Sequence, residues 1–233
     1  MLEAIELTKT YGKQIALKGL NLEIASGEIF CLLGANGAGK STTIKLFLNL
    51  IKPTSGSVRI CGLDPKTHPS ETKSLLGYIP EQVALYPLLS GVENLRYFAS
   101  LAGESDLNRT RLVEALTHAG LPKDAVHKRA MHYSKGMRQK VVIALALVRK
   151  IRGLLLDEPT SGLDPQAAND FAGILRRLGE EGVAILMASH DLHHAQQSAT
   201  RIGIMRQGEL VEKISPAEVT HADLVERALQ LMA

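Results

Sequence analysis

Eight consecutive residues, Gly34-Ala35-Asn36-Gly37-Ala38-Gly39-Lys40-Ser41, have the types and spacing needed to hold a chain of phosphates. Glycines let the backbone close around phosphate oxygens, so that successive N–H groups point inward. Lys40 can neutralise the outer phosphates, and the Ser41 hydroxyl can ligate Mg²⁺. Thr42 follows and completes the stretch assigned to the nucleotide. A glycine-rich turn with a chance lysine would look the same in isolation. The context argues against it: an apolar strand precedes the run and an amphipathic helix follows, its positive dipole end starting near Lys40.

A second constellation is Leu154-Leu155-Leu156-Asp157-Glu158. A buried strand ending in two carboxylates carries them to the C-terminal edge of a sheet, where open α/β folds bind ligands. Asp157 there can hold Mg²⁺ through water, and Glu158 can accept a proton from a water attacking the γ-phosphate. Acids also cap strands with no further role. Together with the glycine loop, the pair reads as the other half of a nucleotide site.

These groups need a sheet to position them. Ala4–Leu7, Leu20–Ile24 and Glu28–Leu33 read as short strands, the first two alternating and the third apolar enough to be central. Lys40 to Ile51 reads as a helix with Ile44, Phe47, Leu48 and Ile51 on one face, ended by turn chemistry at Pro53-Thr54-Ser55-Gly56. From Pro87 to Arg149 the spacing is helical, with Leu107, Leu112, Ala115, Leu116 and Ala119 in one pattern. Strands return at Gly153–Asp157 and Val183–Ala188, separated by a helix from Gln166 to Leu178. Strands apolar throughout, alternating with a helix, predict a buried parallel sheet interrupted by a helical insertion.

The 233 residues suffice for one large domain, and 45% hydrophobic with 22% charged residues is globular composition. A net charge of +3 is too small to mark a nucleic-acid surface. The longest apolar run, Val141 to Val148, falls far short of the ~20 residues of a membrane span, and the first residues lack the pattern of a secretory signal. Cys31 and Cys61 are too few for a disulfide framework and read as reduced, buried packing residues. His190, His193 and His194 lack a second cluster to complete a metal sphere, and adjacent helical histidines diverge, so the latter two read as an exposed helix face.

From about residue 2 to about residue 210 the chain resembles the ATP-binding subunits of ABC transporters. Beyond the two constellations, the resemblance rests on an ordered set. Tyr133-Ser134-Lys135-Gly136-Met137-Arg138-Gln139 resembles the signature segment usually written LSGGQ. Pro159-Thr160-Ser161-Gly162-Leu163-Asp164-Pro165 is similar to the D-loop, with Asp164 its acid. Ala188-Ser189-His190-Asp191 matches the switch histidine, and Tyr11 stands where the family stacks a ring on adenine.

The resemblance implies a P-loop NTPase (RecA-like) α/β core with an N-terminal antiparallel β subdomain and an inserted α-helical subdomain. The chain would form a single cassette over 1–233, with core at 1–86 and 150–210, helical subdomain at 87–149 and a tail at 211–233. It implies Mg²⁺ with ATP as substrate, Glu158 and His190 as catalytic residues, and Ser134, Lys135, Gly136 and Met137 contacting the γ-phosphate bound by a second copy. It also implies integral membrane permease subunits as partners, no nucleic acid, and a cytoplasmic chain peripheral on the inner face of the membrane. The cargo stays open. Rival readings are a soluble ABC ATPase acting on nucleic acid or the ribosome, and a P-loop kinase or GTPase switch, which has no use for the signature.

Two departures stand out. Tyr133, Lys135 and Met137 replace the usual Leu, Gly and Gln, a form similar to ABC-2-type exporter ATPases, and Lys135 adds a cation near the partner's phosphate. In Tyr78-Ile79-Pro80-Glu81-Gln82, either Glu81 or Gln82 supplies the Mg²⁺-directed side chain of the Q-loop.

Overall fold

The computed structural model describes residues 1–105 and 107–232; residues 106 and 233, inside the expected helical subdomain and tail, lie outside the described residues. The chain opens with a long hairpin, β1 (Leu2–Tyr11) and β2 (Gln14–Ile24), paired antiparallel. β3 (Ile29–Leu33) leads into the glycine loop and α1 (Lys40–Phe47), and β4 (Ser55–Ile60) returns to pair antiparallel with β1. These give a three-stranded sheet in the order β2-β1-β4, the expected N-terminal antiparallel unit.

Next come α2 (Pro69–Leu75) and β5 (Leu76–Ile79), then the helical segment of α3 (Gly91–Leu101), α4 (Arg109–His118) and α5 (Lys135–Arg149). β6 (Gly153–Asp157), α6 (Pro165–Glu180), β7 (Ala184–Ser189), α7 (Leu192–Ser198), β8 (Arg201–Arg206), β9 (Glu209–Ile214) and α8 (His221–Met232) complete the described chain. The main sheet runs β5-β6-β7-β3-β8-β9, parallel except for β9 at its edge.

β3 explains how the layers stack. Side chains alternate across a strand, and both faces of β3 are buried. Ile29, Cys31 and Leu33 join the core under the helical segment and α6, while Phe30 and Leu32 join a second core with α1 and the antiparallel sheet. A strand covered on both faces must be apolar throughout, which is the pattern read from the sequence.

Two expectations need correction. The first helix ends at Phe47, not Ile51: Asn49 takes a left-handed φ of 53°, and Leu50 is exposed. Cys61 is exposed rather than buried, because it leaves β4 through a turn of positive φ (51° at Cys61, 80° at Gly62) that faces it outward. Cys31 is fully buried, as expected.

Candidate active site

Crossover connections bring three strand ends together. β3 pairs with β7 so that Leu33 lies beside Ser189, and β6 pairs with β7 so that Asp157 lies beside Ala188. The glycine loop, the two carboxylates and His190 therefore emerge at one C-terminal sheet edge. The Glu158 N–H donates to the Ala188 carbonyl at 3.0 Å and stitches two of these exits together.

The loop's shape depends on Gly39. Its φ is 110°, and a Cβ added there would lie 2.6 Å from the Ala16 carbonyl oxygen of β2, so both conformation and space exclude a side chain. Directly after it, α1 begins with no side-chain cap on its N-terminal N–H groups, the arrangement that suits an anion. Lys40 is only 5% exposed. Its ammonium donates to the carbonyls of Gly34 (2.6 Å) and Ala35 (3.1 Å) and lies 3.7 Å from a Glu158 carboxylate oxygen.

The other Glu158 oxygen is 2.8 Å from Nδ1 of the exposed His190 ring and accepts the His190 backbone N–H at 3.3 Å. Glu158 is thus held between a lysine and a histidine. Its φ of 47° is left-handed, uncommon for a residue with a Cβ and maintained only where surrounding contacts enforce it.

Ser41 donates its hydroxyl to Asp157 at 2.9 Å. Burial, and to a lesser degree the charges of Glu158 and Glu81, push the Asp157 carboxyl above the usual carboxylate range, against the pull of the Ser41 hydrogen bond. A hydroxyl beside a partly desolvated carboxylate is a hard-oxygen donor pair that fits Mg²⁺, which relieves the penalty carried by the anion. Beneath the site, burial first and the Glu158 charge second push the Cys31 thiol far up, leaving it an inert packing group.

The remaining expected residues fall into separate places. Tyr11 is 45% exposed near the tip of the β1–β2 hairpin, with the Lys9 ammonium 4.9 Å from its ring centre. It shares that hairpin with Ala16 and Leu17, which pack on Gly39. Asn36 and Gly37 are exposed on the loop, Ala38 is buried, and Thr42 is half-buried in the first turn of α1. Ser134 caps α5 by accepting the Met137 N–H at 3.2 Å, and Asp164 caps α6 by accepting the Ala167 N–H at 2.9 Å.

The contacts of the signature run to the D-loop and α6, not to the phosphate loop of the same chain. Lys135 donates to the Ser161 carbonyl, and Gly136 faces Leu163 and Ala167. Glu81 and Gln82 are both exposed and share an open cleft of about 580 Å³ with Lys135, Arg138, Ser161 and Gly162. His193 is exposed as expected and pairs with Gln197. His194 does not share that exposed face: its side chain is only 19% exposed, turned back to Asp191 at the start of its own helix.

Within the signature segment, two structural roles escaped the sequence reading. Tyr133, a departure by sequence, is a core residue: its hydroxyl donates to the Ala125 carbonyl at 2.7 Å, and Gly91 leaves the room for it. Gln139 is fully buried and donates to the Pro159 carbonyl at 2.6 Å. The available signal was a polar residue inside the apolar stripe of α5, one turn after Lys135.

Residues 17–161, more than half of the chain, match the family described as ABC transporter. The chain belongs to the ABC transporter family. It is similar to the linearmycin resistance ATP-binding protein LnrL of Bacillus subtilis (strain 168), 36% identical over 212 residues, covering 91% of this chain and 68% of that one. Against the bacitracin transport ATP-binding protein BcrA of Enterococcus faecalis the identity is 38% over 220 residues, covering 94% and 70%. The dimeric post-hydrolysis structure of the ATP-binding cassette MJ0796 bound to ADP and Pi superposes with a TM-score of 0.80 at 30% identity, covering 93% of this chain and 99% of that one. The protein is thus an ATP-hydrolysing cassette with the P-loop NTPase fold. ABC cassettes use Mg-ATP, dimerise and work with membrane permeases. Among the described residues of this member, no helix is long and apolar enough to cross a membrane.

Proposed function

We propose that two copies of this chain close around two Mg-ATP, hydrolyse them, and so drive export through a separate integral membrane permease. The observation that carries the reading is Glu158, held between Lys40 and His190 at the edge where the glycine loop opens. Residues 34–42 cradle the phosphates. Glu158 takes the proton of the attacking water, His190 orients that water, and Lys40 with the loop N–H groups stabilises the developing charge. Ser41 and Asp157 would hold Mg²⁺, with Glu81 or Gln82 as a further oxygen donor; bound there, the ion would neutralise phosphate charge.

Gly136 supports the paired assembly. An added Cβ would make only ordinary contacts, 3.7 Å to Leu163 and 3.8 Å to Ala167. Its own chain therefore does not require a glycine, whereas a partner's phosphate approaching the start of α5 would. Ser134 and Met137 join it in that contact, and Asp164 lies at the same junction, while the Lys135 ammonium is turned to the Ser161 carbonyl of its own chain.

The permease would dock on the helical subdomain. Leu88 and Tyr97 are exposed there and Tyr86 just before it, beside an apolar groove that Leu95 and Phe98 of the subdomain line together with Pro80 and Val83 of the core segment leading into it. This would hold the chain peripherally on the inner face of the membrane, with 1–86 and 150–210 as core, 87–149 as the docking subdomain and 211–233 as tail. The names of LnrL and BcrA, a resistance and an antibiotic transport protein, favour export in the ABC-2-type manner.

Tyr11 would stack on adenine. Base–aromatic stacking contributes about 1–3 kcal/mol, so Tyr11→Ala is expected to weaken ATP binding roughly 5- to 150-fold in equilibrium titration. Unchanged affinity places the base elsewhere. The partner reading is tested by gentle-detergent purification of the tagged protein from native membranes. A stoichiometric polytopic partner is expected; ribosomal or DNA-associated proteins in its place would replace the transporter reading with a soluble one.

A further inference from the structure

Lys135 and Gln139 are one helical turn apart on the same face of α5. Both donate to main-chain carbonyls of the turn that follows Glu158: Gln139 to Pro159 at 2.6 Å, Lys135 to Ser161. Gln139 is fully buried, and its amide oxygen has no partner, so the side chain is held in place by its N–H donor alone. The Ser161 N–H in turn donates to the Glu158 carbonyl at 3.3 Å. Glu158 itself sits at the left-handed φ of 47° and is tied to β7 through Ala188. A strained backbone of this kind persists only when its surroundings over-determine it, and here the ties on the far side come from α5.

We infer that Gln139 and Lys135 are positioning residues that clamp the D-loop backbone to the signature helix and thereby aim the Glu158 carboxylate. The inference rests on the role proposed for Glu158 above. Lys135 accordingly acts inside its own chain. A displacement of the helix that carries Ser134 and Gly136 reaches Glu158 through two carbonyl groups. Misplacing a reacting group by about 1 Å can cost ~10²-fold in rate, so loosening the clamp should show in turnover rather than in binding.

The test uses the purified full chain and steady-state ATP hydrolysis. Lys135→Met and Gln139→Met keep side-chain bulk and remove the donor. Each is expected to lower kcat by ~10- to 100-fold with KM for ATP nearly unchanged, and Lys135→Arg, which keeps a donor, to recover most of the loss. In a Glu158→Gln background, with residual hydrolysis followed in single turnover, neither substitution should cost more, because the residue being aimed is already disabled. If Gln139→Met fails to fold, the half-buried Lys135 carries the test alone. Unchanged kcat, a loss of equal size in the Glu158→Gln background, or a salt-dependent rise in KM with kcat intact would each overturn the clamp. Glu158→Gln alone reports on the underlying reading: if that variant turns over normally, both fall, and if it is inactive while the clamp variants are normal, only the clamp does.

Discussion

Glu158→Gln is expected to reduce ATP turnover by ~10²–10⁴-fold while leaving ATP binding intact. The substitution keeps length, shape and the left-handed backbone of the residue and removes only its basicity. The 2.8 Å contact with His190 survives as an amide hydrogen bond, so the site keeps its geometry. The 3.7 Å approach to Lys40 loses its charge, which frees Lys40 for phosphate rather than weakening the cradle. Steady-state hydrolysis and equilibrium nucleotide binding, measured on the same preparation, separate the two effects. Turnover within a few-fold of wild type would remove Glu158 from the role of general base.

Gly136→Asp is expected to have an effect of similar size by a different route. The position is the second residue of α5, where an acidic side chain favours the helix dipole, and its Cβ meets only ordinary contacts. The isolated chain should therefore fold with an undiminished melting temperature and bind ATP at its own glycine loop as before. Across a dimer, the new carboxylate would face the partner's γ-phosphate. Like charges opposed at an interface cost several kcal/mol, so ATP-driven pairing and turnover should fall by about 10²-fold or more. If turnover stays normal, the signature does not contact a second nucleotide. If the chain melts early, Gly136 has a structural reason that its surroundings do not reveal.

The nucleotide machinery was legible because its signals are local. Glycines at positions such as 39 are demanded by backbone conformation and close approach, and strands buried on both faces show as apolar runs, as at Leu154–Leu156. What escaped depends on tertiary context. β4 carries no clear strand signal, because its first two residues, Ser55 and Gly56, belong to the expected turn after the first helix; Gly56 sits at φ 76°, where a Cβ would lie 2.2 Å from the Glu6 carbonyl oxygen. β8 and β9 were not recognised, although β8 is buried beside β3 and its Met205 carbonyl packs on Gly34. Cys61 has an apolar neighbour in sequence but leaves its strand through a left-handed turn. Tyr133 and Gln139 are polar side chains whose partners, Ala125 and Pro159, are backbone carbonyls, and a carbonyl carries no sequence signature. The side chains proposed to do the chemistry therefore carry local signals, and those that hold them do not.

Sedimentation of the Glu158→Gln protein with and without saturating Mg-ATP tests the central claim most directly. With hydrolysis blocked, the account predicts a monomer without nucleotide and, with it, a dimer holding one ATP per chain, in which Gly136→Asp abolishes the pairing. A protein that binds one ATP per chain at saturation and still sediments as a monomer would contradict the account.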